Sequence, residues 1–175
     1  MKQVGMRKLI YVALALALNW VGAFIALSLR LPIYLDTLGT VLAAILFGPL
    51  YGAGVALGSA LINQLSDPMA LFYAPVGILV GILTGLLIQK DMAWRKLLGR
   101  VLMVFIPGTL LASLITVILF KGITTSGSSL LVQALHAIGL DLVISSFLVQ
   151  FVTDYADRLV TIGLVILLFK RKILK

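Results

Sequence analysis

Long apolar runs separated by short polar breaks dominate the chain: Leu9 to Leu29, Tyr34 to Phe47, Leu50 to Leu65, Leu71 to Ile88, Leu97 to Phe120, and a last run ending at Phe169. The breaks fall at Leu31-Pro32, Gly48-Pro49, Ser66-Asp67-Pro68 and the polar segment Gln89 to Lys96. Each is a turn or helix-stop signal, because proline removes a backbone donor and glycine admits tight turns. A hydrocarbon core of roughly 30 Å takes about 20 apolar residues per helix, so the pattern predicts an all-α bundle of about six transmembrane helices with minimal loops. The run Tyr34 to Phe47 is short for this purpose, since its 14 residues make only about 21 Å of helix. Tilt or local bilayer thinning would absorb that mismatch.

The apolar stretch Ser128 to Phe151 fits neither one extra span nor two. One would put the two chain ends on opposite sides, and its 24 residues are too few for two helices of about 20 each. It predicts two short helices broken near Gly139 on the outer side, between spans five and six, the second free to continue into the last span.

Composition agrees with this patterning. At 62% hydrophobic and 11% charged residues, with a mean hydropathy of +1.19, the chain lies outside the range of soluble domains. We read residues 1–175 as a single integral membrane domain. The first run is longer than a signal-peptide core, so it reads as a retained span. The absence of cysteine excludes disulfides, thiolate metal sites and a cysteine nucleophile.

The net charge of +8 sits at the ends of apolar runs, which favours the lipid bilayer surface over nucleic acid as its partner. Three clusters, Lys2/Arg7/Lys8, Lys90/Arg95/Lys96/Arg100 and Lys170/Arg171/Lys172/Lys175, hold eleven of the 14 basic residues. Basic loops stay in the cytoplasm, so six spans with both termini cytoplasmic satisfy every cluster.

An ionisable group at membrane depth is costly, so the few present mark candidate chemistry. All six acids are aspartates. Asp91 lies in a basic loop and reads as solvated. Asp36, Asp67, Asp141, Asp154 and Asp157 fall on the outer side with Arg30, Lys121 and Arg158. Asp154 and Arg158 stand four apart with the acid first, the favourable helical order. They suit either an interfacial ion pair or a ligand at a pocket floor. Asn19 in the first run, and Asn63 with Gln64 closing the third, offer amide donors and acceptors to a ligand or to a neighbouring helix.

His136 is the sole histidine, and without Cys or Glu it does not make a metal site; neither metal nor cofactor is expected. Beside Ser126-Gly127-Ser128-Ser129 it admits one enzymatic alternative, an intramembrane hydrolase or protease, although these serines read better as a loop entering a helix. Ala13 and Ala17 share one helix face, and such small-residue spacing allows another helix to approach closely, as a partner subunit would.

These features together resemble the substrate-binding S components of energy-coupling factor transporters. The resemblance rests on size, six spans, the Ala13/Ala17 spacing, and the run LPIYLDTLGTVLAAILFGPLYGAGVALGSALINQL from Leu31 to Leu65 with its Gly-Pro-x-Tyr-Gly turn at Gly48 to Gly52. The Tyr73-Ala74-Pro75 entry into the fourth span is also similar. It implies capture of a small water-soluble vitamin or related heterocyclic nutrient, and docking on a membrane coupling subunit driven by two ATPase subunits. The chain itself has no Gly-x4-Gly-Lys-Ser/Thr loop, so it is not expected to be an enzyme. The implied pocket lies in the outer half, lidded by the loop between spans one and two and completed by spans four to six. The expected substrate contacts are Asn19, Arg30, Tyr34, Asp36, Asn63, Tyr73, His136, Asp154 and Arg158.

Overall fold

The computed structural model describes residues 5–89 and 92–170. Within them the chain forms seven α-helices: α1 (Met6–Ser28), α2 (Leu38–Phe47), α3 (Pro49–Asn63), α4 (Ala74–Leu87), α5 (Trp94–Phe120), α6 (Ser128–Ala137) and α7 (Leu142–Lys170). A 3₁₀ turn, Ala70–Tyr73, leads into α4. No strand occurs among the described residues.

The apolar runs became helices with their ends moved by the local signals. Pro49 occupies the first turn of α3, where a missing N–H costs nothing, and Gly48 turns the corner from α2 with φ of 96°. The segment Tyr34 to Thr37 stays outside α2, which has 10 residues, about 15 Å of helix. Three segments, Met6–Ser28, Ala70–Leu87 and Arg95–Phe120, have the length and apolarity of a membrane crossing. α7 has 29 residues and length to spare, but it carries Asp154, Asp157 and Arg158 in its middle. Gly139 ends α6 with φ of 98°, and the expected second short helix is the first part of α7 rather than a separate element.

Successive helices from α1 to α5 run in opposite directions, and α7 runs opposite to α5, as their contacts show. Tyr11 near the start of α1 packs on Phe47 at the end of α2, and Phe47 packs on Tyr51 at the start of α3. Glycine on both sides brings α3 and α4 into backbone contact at Gly52 and Gly81, where any Cβ would collide with the opposite main chain. Arg100 Nη1 donates to the Leu87 carbonyl at 2.6 Å, tying the start of α5 to the end of α4. Thr116 meets Gln150, Thr109 meets Asp154 and Phe105 meets Tyr155, an order that makes α5 and α7 antiparallel. The beginning of α1 and the end of α7 consequently share one end of the bundle, together with Lys8 and Arg100. Lys2, Lys90, Asp91, Arg171, Lys172 and Lys175 lie outside the described residues.

The core joins α2, α4, α5 and α7 through Val41, Val80, Leu97, Val101, Val104, Ile162 and Ile166. A smaller cluster sets Ala15 of α1 against Ala43 and Val55. The outer surface is apolar along α1, where Leu9, Leu14, Leu18 and Val21 are exposed, as suits a lipid-facing helix.

Candidate functional site

The end of the bundle away from Lys8 and Arg100 collects the last turns of α1, α3 and α5, the 3₁₀ turn before α4, and the first half of α7. Between them lies a cavity of about 150 Å³. Its roof is the loop Leu29–Thr37 between α1 and α2. Two positions in this loop, Arg30 and Leu35, take left-handed backbone conformations without being glycine (φ of 50° and 52°). That conformation costs roughly 1–3 kcal/mol per residue and survives only where surrounding contacts impose it.

Those contacts are visible. Asp157, fully buried in α7, accepts backbone N–H bonds from Tyr34 (3.2 Å) and Leu35 (2.9 Å) on Oδ1. Its Oδ2 pairs with Arg158 Nη1 at 3.2 Å, and the same Nη1 donates to Thr37 Oγ1 at 2.6 Å. Gly22 and Gly127 lie so close to the Leu35 and Arg30 carbonyls that neither position has room for a side chain. The loop is therefore pinned from α7 and seated between α1 and the entry to α6.

The structure brings six of the expected contact residues to this cavity: Tyr34, Asp36, Asn63, Tyr73, Asp154 and Arg158. Burial raises the Tyr34 phenol above its ordinary value, with the Asp154 charge adding to it, so the hydroxyl stays protonated. Burial likewise raises the Asp36 carboxyl to about 6; the Asp157 charge pushes the same way and Arg158 opposes it. Tyr73 shares its hydroxyl with Thr116 Oγ1 at 2.7 Å and stacks on Phe120.

Asn19, Arg30 and His136 are not among the residues lining it. Asn19 is fully buried: Nδ2 donates to Thr40 Oγ1 and Ser59 Oγ, both at 2.9 Å, and Oδ1 accepts from the Gly39 N–H at 2.6 Å. With these bonds made, it is the joint between α1, α2 and α3. The Arg30 side chain is exposed. His136 is exposed too, with Nδ1 against the Leu140 carbonyl at 2.8 Å. It stands seven residues along α6 from Ser129, about 10 Å of helix rise, too far for the proton transfer a hydrolase requires. Ser129 instead bonds the Thr124 carbonyl, and Ser128 bonds Ser126.

The ion pair expected between Asp154 and Arg158 is replaced. Arg158 pairs with its neighbour Asp157, and Asp154 turns to Thr109 Oγ1 of α5 at 3.0 Å. Helical spacing ranks i,i+4 partners on an isolated helix, whereas here the loop amides and α5 decide where each carboxylate goes. Sequence reading missed Gln150, Thr37 and Trp20 as cavity residues. The signal for Gln150 was a polar residue in an apolar run, the same one that singled out Asn63.

Ala13 and Ala17 are exposed on the face of α1 turned away from the bundle, while Ala15 is buried against α2.

A family model described as ECF transporter, substrate-specific component, matches residues 7–169. No curated protein and no solved structure matches the chain.

Proposed function

From the premise that the chain belongs to the substrate-specific components of energy-coupling factor transporters, we propose that it captures a small water-soluble vitamin or related heterocyclic nutrient in the cavity under the Leu29–Thr37 loop. A membrane coupling subunit and two ATPase subunits then drive import. The chain is a membrane protein, and we place it in the prokaryotic plasma membrane as six spans. Both termini face the cytoplasm, because basic residues flank the bundle end opposite the cavity. The cavity then opens toward the outside, where a scarce nutrient is met.

The observation that carries this reading is the cavity itself. Aromatic walls (Trp20, Tyr34, Tyr73) and a few polar groups from α3, α7 and the loop converge at one end of an otherwise apolar bundle. Binding sites for small molecules have this build: mostly apolar, with a handful of placed polar groups for orientation. Capture and coupling occupy different faces. Ala13 and Ala17 leave a shallow apolar groove on the outside of α1, and close backbone approach is what drives helices together in lipid.

Native mass spectrometry of the purified chain tests capture directly. The expected result is a co-purifying nutrient lost when Asn63 and Asp154 are both changed to alanine. A chain that is always empty, and whose deletion leaves nutrient uptake of the host unchanged, refutes the proposal.

A further inference from the structure

The charge around the cavity is one-sided. Asp36, Asp67 and Asp154 line it, against Arg158 as the only basic residue in the lining among the described residues. That guanidinium is already matched by Asp157 and Thr37. Asp67 accepts from Thr125 on Oδ2 and from the Met69 N–H on Oδ1, whereas Asp154 accepts from Thr109 on Oδ2. Among the described residues Asp154 Oδ1 has no donor.

Two neutral groups repeat the imbalance. Asn63 and Gln150 line the cavity at 8% and 6% exposure, and their Oδ1 and Oε1 atoms are buried with no hydrogen-bond donor among the described residues. An unsatisfied buried acceptor costs roughly 1–3 kcal/mol until a donor arrives. The cavity thus holds surplus acceptors, surplus negative charge and the aromatic side chains of Trp20, Phe24, Tyr34 and Tyr73, and aromatic faces attract cations. An anionic substrate would meet three carboxylates and an arginine already neutralised. A cavity of about 150 Å³ is the size that admits a single benzene-sized ring.

We propose that the substrate is a single-ring organic cation with N–H donors, such as an amidinium, a ring-borne ammonium or a protonated amino-azine. Asp36 and Asp154 neutralise its charge, and its N–H groups satisfy the Asn63 and Gln150 oxygens. This rests on the reading of the chain as a capture subunit and narrows it to a chemical class.

Benzamidinium, benzamide and benzoate share one ring and nearly one shape and differ in charge, so they test the class without altering the protein. Calorimetry on the purified full chain at neutral pH and millimolar probe should show benzamidinium binding at least about tenfold tighter than the other two, or about 1.4 kcal/mol. Asp154→Asn, nearly isosteric, should remove that preference while leaving any benzamide binding in place. Benzoate or benzamide binding as tightly as benzamidinium overturns the cation assignment and leaves nutrient capture standing. Failure of all three to bind overturns the single-ring assignment. An anionic or neutral co-purifying ligand does the same to the cation assignment, and by its presence upholds capture. An empty protein with no uptake role sinks capture itself.

Discussion

Asp157→Ala is the most informative single change, because one buried carboxylate holds the roof of the cavity. Its Oδ1 satisfies the Tyr34 and Leu35 amides and its Oδ2 meets Arg158, and the carboxylate itself has no solvent contact. Alanine leaves two part-buried N–H groups without this acceptor, each at up to the roughly 1–3 kcal/mol of a fully buried donor. It also strands the Arg158 charge, and breaking a buried pair from one side costs about 3–5 kcal/mol. These effects share one network and do not add, so we take about 3–5 kcal/mol as the whole loss. Leu35 also loses the contact that maintains its left-handed backbone. The cost falls on the loop and not on the Val80, Val104 and Ile162 core, so the bundle stays folded. Hydrogen exchange read by mass spectrometry on peptides spanning Leu29–Thr37 is the direct assay. Exchange there should accelerate roughly 100- to 4,000-fold, the stated energy at about 1.4 kcal/mol per decade. Substrate affinity should fall with it, since binding must then order the loop again. Asp157→Asn keeps one acceptor oxygen and should show a smaller acceleration. Unchanged exchange at Tyr34 and Leu35 in the alanine variant would refute the pinning argument.

Asn19→Ala strands the Thr40, Ser59 and Gly39 partners and should lower the melting temperature, at about 2–4 kcal/mol, while the variant still binds its substrate with native affinity; a selective loss of affinity would return Asn19 to the site. Ala13→Trp with Ala17→Trp should leave the chain folded and binding-competent but abolish uptake and co-purification with a coupling subunit, and full transport by this double variant would make the groove merely lipid-facing. Because the Asp36 carboxyl is raised from 3.8 to about 6, the folded state favours its protonated form. That contribution to ligand-free stability is fully present below pH 3.8 and lost as pH rises through about 6; thermal unfolding across this window should show the decline, flattened in Asp36→Asn. The chain contains no cysteine, so single cysteines at Lys8 and Arg95 should be protected from an impermeant thiol reagent in intact cells, and those at Arg30 and Asp67 should react; a reactive Lys8 site inverts the proposed topology.

The amino-acid pattern by itself determined the solvent, the helices and most of their ends. Runs of apolar residues bounded by proline, glycine and charge leave the backbone no choice in lipid but to satisfy its own hydrogen bonds as helix. The same pattern showed that Ser128 to Phe151 would break near Gly139, because glycine admits the left-handed turn found there. It also marked Asn63, Asp36 and Asp154 as polar residues in costly places, and all three line the cavity. What a polar residue in an apolar helix does is not a local property, however. Asn19 and Asn63 look alike along the chain; one is fully bonded between three helices and the other has an oxygen with no partner among the described residues. Only the approach of α2 and α3 to α1, permitted by small residues at the contact, separates them. Likewise the spacing favoured a pair between Asp154 and Arg158, whereas Arg158 pairs with Asp157, whose other oxygen is held by loop amides more than a hundred residues away in sequence. Hydrogen-bond energy is decided by which donors burial leaves within reach, and that is settled only when distant segments meet.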